Sequence, residues 1–334
     1  MSPAPRPPVL AVRTRRAAAD AGRRGAAAVA RGLAVAAARC RSTARGLVAA
    51  ALFASALPLP SPARAVPIVD DRGRSIEVPA PARRIVSLLP SHTESVCALD
   101  ACDRLVGVDR FSDWPARVAS LPRLGGLEDT PIERIVALRP DLVLAPSSSR
   151  AIERLESLGL RVLALEPKGF EDTRRVLRAI AQALGRPEDG DALWARTLAR
   201  IDAAGARLPA WLRGASVYVE VAETPHAASA GSFVGEALAR MGLRSIVPAS
   251  LGPFPQINPE FVVRAAPTVI VASERGLASM AARPGWGALE ALRERRACGL
   301  ASAAWQPLVR PGPRLGEAAE GLADCLARLP ERRP

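Results

Sequence analysis

Glu133-Arg-Ile-Val-Ala-Leu-Arg-Pro140-Asp-Leu-Val-Leu-Ala145 and Glu260-Phe-Val-Val-Arg-Ala-Ala-Pro267-Thr-Val-Ile-Val-Ala272 follow one pattern. Each opens on Glu, runs six residues to Pro, skips one and enters a buried apolar run. The proline disfavours helical geometry at the residue before it, so a short helix stops there and a strand begins. A second pair repeats the lesson. Strand Ile85–Leu89, a polar loop and helix Thr93–Leu99 parallel strand Val217–Val221, a polar loop and helix Phe233–Met241. Duplicated units of this size predict two similar lobes.

The other strands expected are Leu105–Val108, Leu142–Ala145, Val162–Leu165 and Val269–Ala272. They are continuous apolar runs, suited to parallel sheets covered by helices on both faces. Between the lobes, Leu193, Thr197, Leu198, Ile201, Ala204 and Leu208 lie at steps of one, three and four, predicting one amphipathic helix over Asp189–Leu208. About 20 residues make a rod of about 30 Å, which allows small rocking rather than a wide hinge. The fold class expected is α/β: two Rossmann-like lobes, residues 66–188 and 209–334, joined by that helix, with a ligand cleft between them.

The net charge of +13 is concentrated at the start of the chain. Residues 1–65 hold eleven Arg against the single Asp20, while the remainder holds 35 basic and 32 acidic residues. A near-neutral body without a basic run excludes a phosphate-tracking surface, so no nucleic-acid partner is expected. The apolar run Leu47–Leu59 follows the basic segment, and Ala63 and Ala65 come next. That is the layout of a signal segment over residues 1–65, cleaved near Ala65 and delivering the chain to the periplasm. Thirteen apolar residues fall short of a bilayer span, which counts against an uncleaved anchor.

Cys97, Cys102, Cys298 and Cys325 remain after cleavage and allow three full pairings. A buried free thiol is expected for Cys97, and the spacing gives little support to a zinc site.

Arg84-Ile-Val-Ser-Leu-Leu-Pro-Ser-His-Thr-Glu94, Leu105-Val-Gly-Val-Asp-Arg-Phe-Ser-Asp-Trp-Pro115 and Leu124-Gly-Gly with Ile132–Val143 resemble the helical-backbone class (class III) of periplasmic binding proteins. These serve ABC importers of vitamin B12, haem and ferric siderophores, and the likeness to the B12 binders is strongest, running from about Pro81 to Leu329. The resemblance implies a monomeric receptor, not an enzyme. Its partners would be a permease dimer with a cytoplasmic ATPase. It would hold no resident cofactor and carry cobalamin, with haem or a ferric siderophore as alternatives. An envelope enzyme or sensor on the same fold is the reading from another class.

Where the B12 binders place aromatic residues around the ligand, this chain keeps Phe111 and Phe254, while Leu127, Pro146 and Ala228 stand at other such positions. Phe111 and Phe254 are expected to face each other across the cleft. Pro90, Ser91 and His92 lie at the carboxyl end of a strand, where α/β clefts bind ligands. Ser91 with Glu94 also reads as a capping box. His92 is either a solvent-exposed helix residue or the cleft floor, where neutral imidazole could serve as an axial ligand. His226 is either loop decoration or the matching ligand contact of the second lobe. Two His are too few for a zinc or manganese receptor. Arg310 and Arg314, bracketed by prolines, are either surface charges or cleft residues for carboxylate or amide groups. Glu133 and Glu260 suit helix N-termini in any case, and the resemblance implies that they dock onto permease arginines. A hydrolase reading of Ser91, His92 and Asp109 is weak, since no nucleophile elbow accompanies them.

Overall fold

The computed structural model describes residues 64–222 and 225–331. The signal segment lies outside these apart from Arg64 and Ala65, which begin the first strand.

The first lobe runs β1 (Arg64–Val69), β2 (Ser75–Ala80), β3 (Ile85–Ser87), α1 (Pro90–Ala98), β4 (Leu105–Val108), α2 (Ile132–Ala137), β5 (Leu142–Ala145), α3 (Ile152–Ser157), β6 (Val162–Ala164) and α4 (Phe170–Ala183). The connector α5 (Pro187–Ala206) follows. The second lobe runs β7 (Ser216–Ala222), β8 (His226–Ala227), α6 (Phe233–Arg240), β9 (Arg244–Ser245), α7 (Pro259–Ala265), β10 (Val269–Ser273), α8 (Glu274–Met280), α9 (Glu290–Arg293), β11 (Ala297–Leu300), α10 (Ser302–Leu308) and α11 (Leu315–Leu326).

The sheet topology shows the duplication directly. The first lobe's parallel sheet has the order β4-β3-β5-β6. In the second, β9, β7, β10 and β11 pair in parallel in the same relative order, and β8 adds an antiparallel edge to β7. In both lobes the first strand lies between the second and third, so each sheet has a switch point at its carboxyl edge. The proline echoes land where expected. α2 and α7 each end before the proline, and β5 and β10 are buried along Leu142–Ala145 and Val269–Ala272. The antiparallel pair β1–β2 carried too short an apolar pattern to be foreseen; its registration runs from Arg64↔Ala80 to Val69↔Ser75.

The connector begins two residues before the expected start because Pro187 occupies the first helical turn, where its missing N–H costs nothing. Gly185, at φ +78°, turns the chain between α4 and α5 in a conformation that an L side chain resists. Leu193, Thr197, Ile201 and Ala204 face inward. Gly190 lets α5 approach α4 closely, since a Cβ there would stand 2.8 Å from Arg178 Cα.

Two expectations are overturned. Cys97 is not a free thiol: it pairs with Cys102, and Cys298 pairs with Cys325. The first bridge ties the end of α1 to the turn before β4, and the second ties β11 to α11. Ser91 does not cap α1 either. The helix starts earlier, at Pro90 after Leu89, which leaves Ser91 and Glu94 buried inside its first turns.

Candidate ligand cleft

The carboxyl ends of the first lobe's strands converge on one cavity of about 750 Å³. Leu89, Pro90 and Ser91 follow β3; Arg110, Phe111 and Asp113 follow β4; Pro146 and Ser148 follow β5; Glu166 and Pro167 follow β6. The second lobe closes the cavity with Val221, Phe233, Phe254, Gln306, Val309, Arg310 and Pro311.

The apolar side is built from both lobes. Phe111 is 61% exposed at the cavity wall. Leu127, also exposed, lines the cavity with it. Gly125 permits the turn before Leu127: its φ is +71°, and a Cβ would collide with the Asp129 carbonyl. Arg110 donates to Asp129 and lies 5.7 Å from the Phe111 ring centre, bracing that wall. From the second lobe, Phe254 packs edge-on against Phe233 with ring centres 5.3 Å apart. Ser232 caps α6 by accepting from the Gly235 N–H, which fixes Phe233 in the helix's first turn.

The polar side centres on Arg310, 8% exposed. Its Nη1 donates to Glu94 Oε1 at 2.8 Å and Asp113 Oδ1 at 2.7 Å, and its Nη2 to the Phe111 carbonyl at 3.0 Å. One second-lobe guanidinium therefore holds two elements of the first lobe. Arg314 Nη1 stands 3.4 Å from the same Glu94 oxygen and lies over the Trp114 ring at 4.7 Å. Burial pushes the Glu94 carboxyl up while both arginines pull it down, and burial prevails. Beside it, Thr93 donates to Ser87 Oγ at 2.8 Å and meets Ser112 Oγ at 2.8 Å, and Ser112 donates to Asp109. Ser91 Oγ is buried at the cavity wall, without a hydrogen-bond partner among the described residues.

The structure brings Pro90, Ser91, Phe111, Leu127, Pro146, Phe254 and Arg310 to one cavity. It does not bring the others. His92 is fully buried within α1 and is neither solvent-exposed nor on the cleft floor, because the earlier helix start rotates it inward. Its ring nitrogens make no hydrogen bond of proper geometry; the Leu165 backbone and Glu166 are its polar neighbours. Burial pulls its pKa down to about 4, so the ring is neutral, and what removes it as an axial ligand is its place in the core, away from the cavity lining. His226 sits on β8, pairing with Ala222 across the ladder, away from the lining. Arg314 is committed to Glu317, Glu94 and Trp114 behind the wall, not at the rim. Ala228 is buried under β7, bonding to the Val219 carbonyl. Glu133 and Glu260 are exposed in the first turns of α2 and α7. Sequence reasoning missed Arg110, Asp113, Glu166, Phe233 and Gln306 as lining residues. The strand-end rule could have found the first three.

Among the described residues no cluster of His, Cys, Asp or Glu could hold a metal ion, and no helix is long and apolar enough to cross a membrane.

A buried neutral His makes stability acid-sensitive. Unfolded, the ring titrates near 6.5; folded, it stays neutral to about pH 4. Its stabilisation is therefore complete above pH 6.5 and drains as pH falls toward 4, a loss of ~3 kcal/mol. In urea melts across that window, wild type should lose ~3 kcal/mol more than His92→Leu. Parallel pH profiles would show that His92 is not the buried neutral group described.

The profile of the periplasmic binding protein family matches residues 85–304. The chain is 30% identical over 253 residues to the vitamin B12-binding protein of Vibrio cholerae, covering 74% of this chain and 90% of that relative. Among solved structures it resembles the periplasmic heme-binding protein RhuT from Roseiflexus sp. RS-1 in apo form, with TM-score 0.62 and 27% identity. It also resembles the periplasmic vitamin B12-binding protein BtuF of Vibrio cholerae, with TM-score 0.61 and 27% identity. Each likeness covers 74% of this chain and 98% of the other. The duplicated sheets, the rigid connector and a cleft closed from both lobes agree with this match over most of the chain, which belongs to the periplasmic binding protein family.

Proposed function

We propose that the chain is the exported receptor of an ABC importer, capturing vitamin B12 or a closely related corrinoid and delivering it to the permease. One observation carries the ligand reading: the cavity joins apolar walls from both lobes with amide, hydroxyl and guanidinium groups, yet its described lining includes no His, Tyr, Cys or Met. Those are the side chains that bind haem iron axially. Cobalamin needs none, because its cobalt carries its own axial ligands, and its amide-fringed corrin suits Ser91, Gln306 and Arg310 at the edges of an apolar slot. The Vibrio cholerae relative supports this reading.

Haem is the second reading. The Roseiflexus likeness and Arg310, a partner suited to a propionate, favour it. A ferric siderophore remains the third candidate of this class. The match to the periplasmic binding protein family over residues 85–304 supports binding over catalysis.

Delivery would use the exposed pair Glu133 and Glu260. They hold equivalent positions on α2 and α7, one per lobe, and neither lines the cavity. Export would follow cleavage after Ala65, leaving Val66–Val69 of β1 paired with Ser75–Val78.

Calorimetry should give one cyanocobalamin per chain, with quenching of tryptophan emission. Phe111→Ala, which removes an exposed ring, should weaken binding about tenfold without lowering Tm. One-to-one haem binding with no heat from cyanocobalamin would replace the corrinoid reading by the haem one. Glu133→Ala/Glu260→Ala should cut association with the importer about tenfold, more weakly felt at high salt, and leave cyanocobalamin affinity unchanged. Loss of ligand affinity with normal docking would refute the docking role. N-terminal mass analysis of the secreted fraction should find a chain starting at Val66, and retention of residues 1–65 would overturn the cleavage assignment.

A further inference from the structure

The second lobe has its own cavity. The carboxyl ends of β7, β10 and β11, with the starts of α8 and α10, enclose about 420 Å³. Val221 and Gln306 line both this chamber and the main cleft, so the two spaces adjoin along a shared wall. Strand ends of this kind are where α/β lobes bind ligands. In the first lobe those ends form the cleft; in the second they form the side chamber.

The chamber's chemistry differs from that of the cleft. Glu220 is held by two hydrogen bonds from Arg283, at 2.6 and 2.8 Å, and one from the Tyr218 hydroxyl at 3.0 Å. Glu274, Arg275, Ser302, Trp305 and Gln306 join it along the wall. Carboxylates and an amide accept from sugar hydroxyls, and a guanidinium attracts a phosphodiester. A group carrying both features would find partners for each.

On the corrinoid reading above, we infer that this chamber receives the ribose and phosphodiester of the nucleotide arm of a complete corrinoid, while the corrin, with the arm's base beneath its cobalt, occupies the main cleft. The receptor then distinguishes complete corrinoids from truncated ones lacking the arm. A chamber lost to the arm removes that distinction, since a site built around polar groups rejects a ligand that leaves them unpaired.

The test compares cyanocobalamin with dicyanocobinamide, which lacks the arm, by calorimetry. Wild type should prefer cyanocobalamin by at least about tenfold. Ser302→Trp, at an exposed position in the first turn of α10, fills the chamber and should bring the preference to about one by lowering cyanocobalamin affinity. Glu274→Trp, exposed at the start of α8, serves if the first variant melts differently from wild type. Equal wild-type affinities, or a preference that survives both substitutions, would overturn the chamber assignment and leave the corrinoid reading standing. Failure of wild type to bind either compound would overturn both.

Discussion

A helix with one face packed against both lobes cannot behave as a loose tether, and α5 is such a helix. It lies against α4 of the first lobe and α11 of the second. Gly190 allows close approach on one side, and on the other a Cβ at Gly316 would meet Arg200 Cβ at 2.8 Å. Thr197 Oγ1 donates to the Pro313 carbonyl at 3.3 Å, and Arg200 grips Glu320 with two bonds of 2.8 and 2.7 Å. The angle between lobes is thereby set by close packing, which resists continuous deformation. A cleft between lobes so held is shaped before any ligand arrives, and preorganisation of this kind lowers the ordering cost of binding.

Two cross-ties reinforce that constraint. On one side Arg310 joins Glu94, Asp113 and the Phe111 carbonyl. On the other, the Phe233 N–H donates to the Lys168 carbonyl at 2.9 Å and Glu236 accepts from the Phe170 N–H. The Arg310 tie is made in a desolvated place. Charges there repay little net stability, but removing one partner leaves the other buried and uncompensated. Geometry is the gain: the Phe111 backbone and Asp113 are held at the cleft wall by a residue nearly two hundred positions later. That interaction belongs to specificity of shape more than to stability.

Much of the architecture was legible before any coordinates. Pro140 and Pro267 announced helix-to-strand junctions because the ring's sterics act locally, and apolar runs such as Leu142–Ala145 can only be interior strands. The equal order of the two sheets follows from the duplicated pattern. What escaped was decided at longer range or by a small shift. A start at Pro90 rather than Thr93 turned His92 from the cleft to the core. Cys97 read as an apolar-face residue, and only the return of the chain at Cys102 made it half of a disulfide. Arg310 and Arg314 looked equivalent in sequence, yet one reaches the cavity and the other stacks on Trp114. No spacing rule distinguishes them, because Glu94, Asp113 and Trp114, which set them apart, come from the opposite lobe.

The duplication also explains why the lobes contribute unequally. Each sheet presents the same switch point, but α5 joins them in a pose that aims the first lobe's strand ends at the main cleft, where, among the described residues, Val221 alone joins them from the strand ends of the second. Apart from Val221, the second lobe meets that cleft with Phe233, Phe254 and residues of the segment from Gln306 to Pro311, elements beside its sheet rather than at its strand ends. Its own strand ends, at Glu220 to Ala222, Ser273 and Leu300, open next door. Two copies of one lobe, set at a fixed angle, thus give two differently furnished walls: Phe111, Phe233, Phe254 and Arg310 on one side of Val221 and Gln306, Glu220, Glu274, Arg275 and Ser302 on the other. A receptor built this way can grip an asymmetric ligand without any departure from its repeated fold.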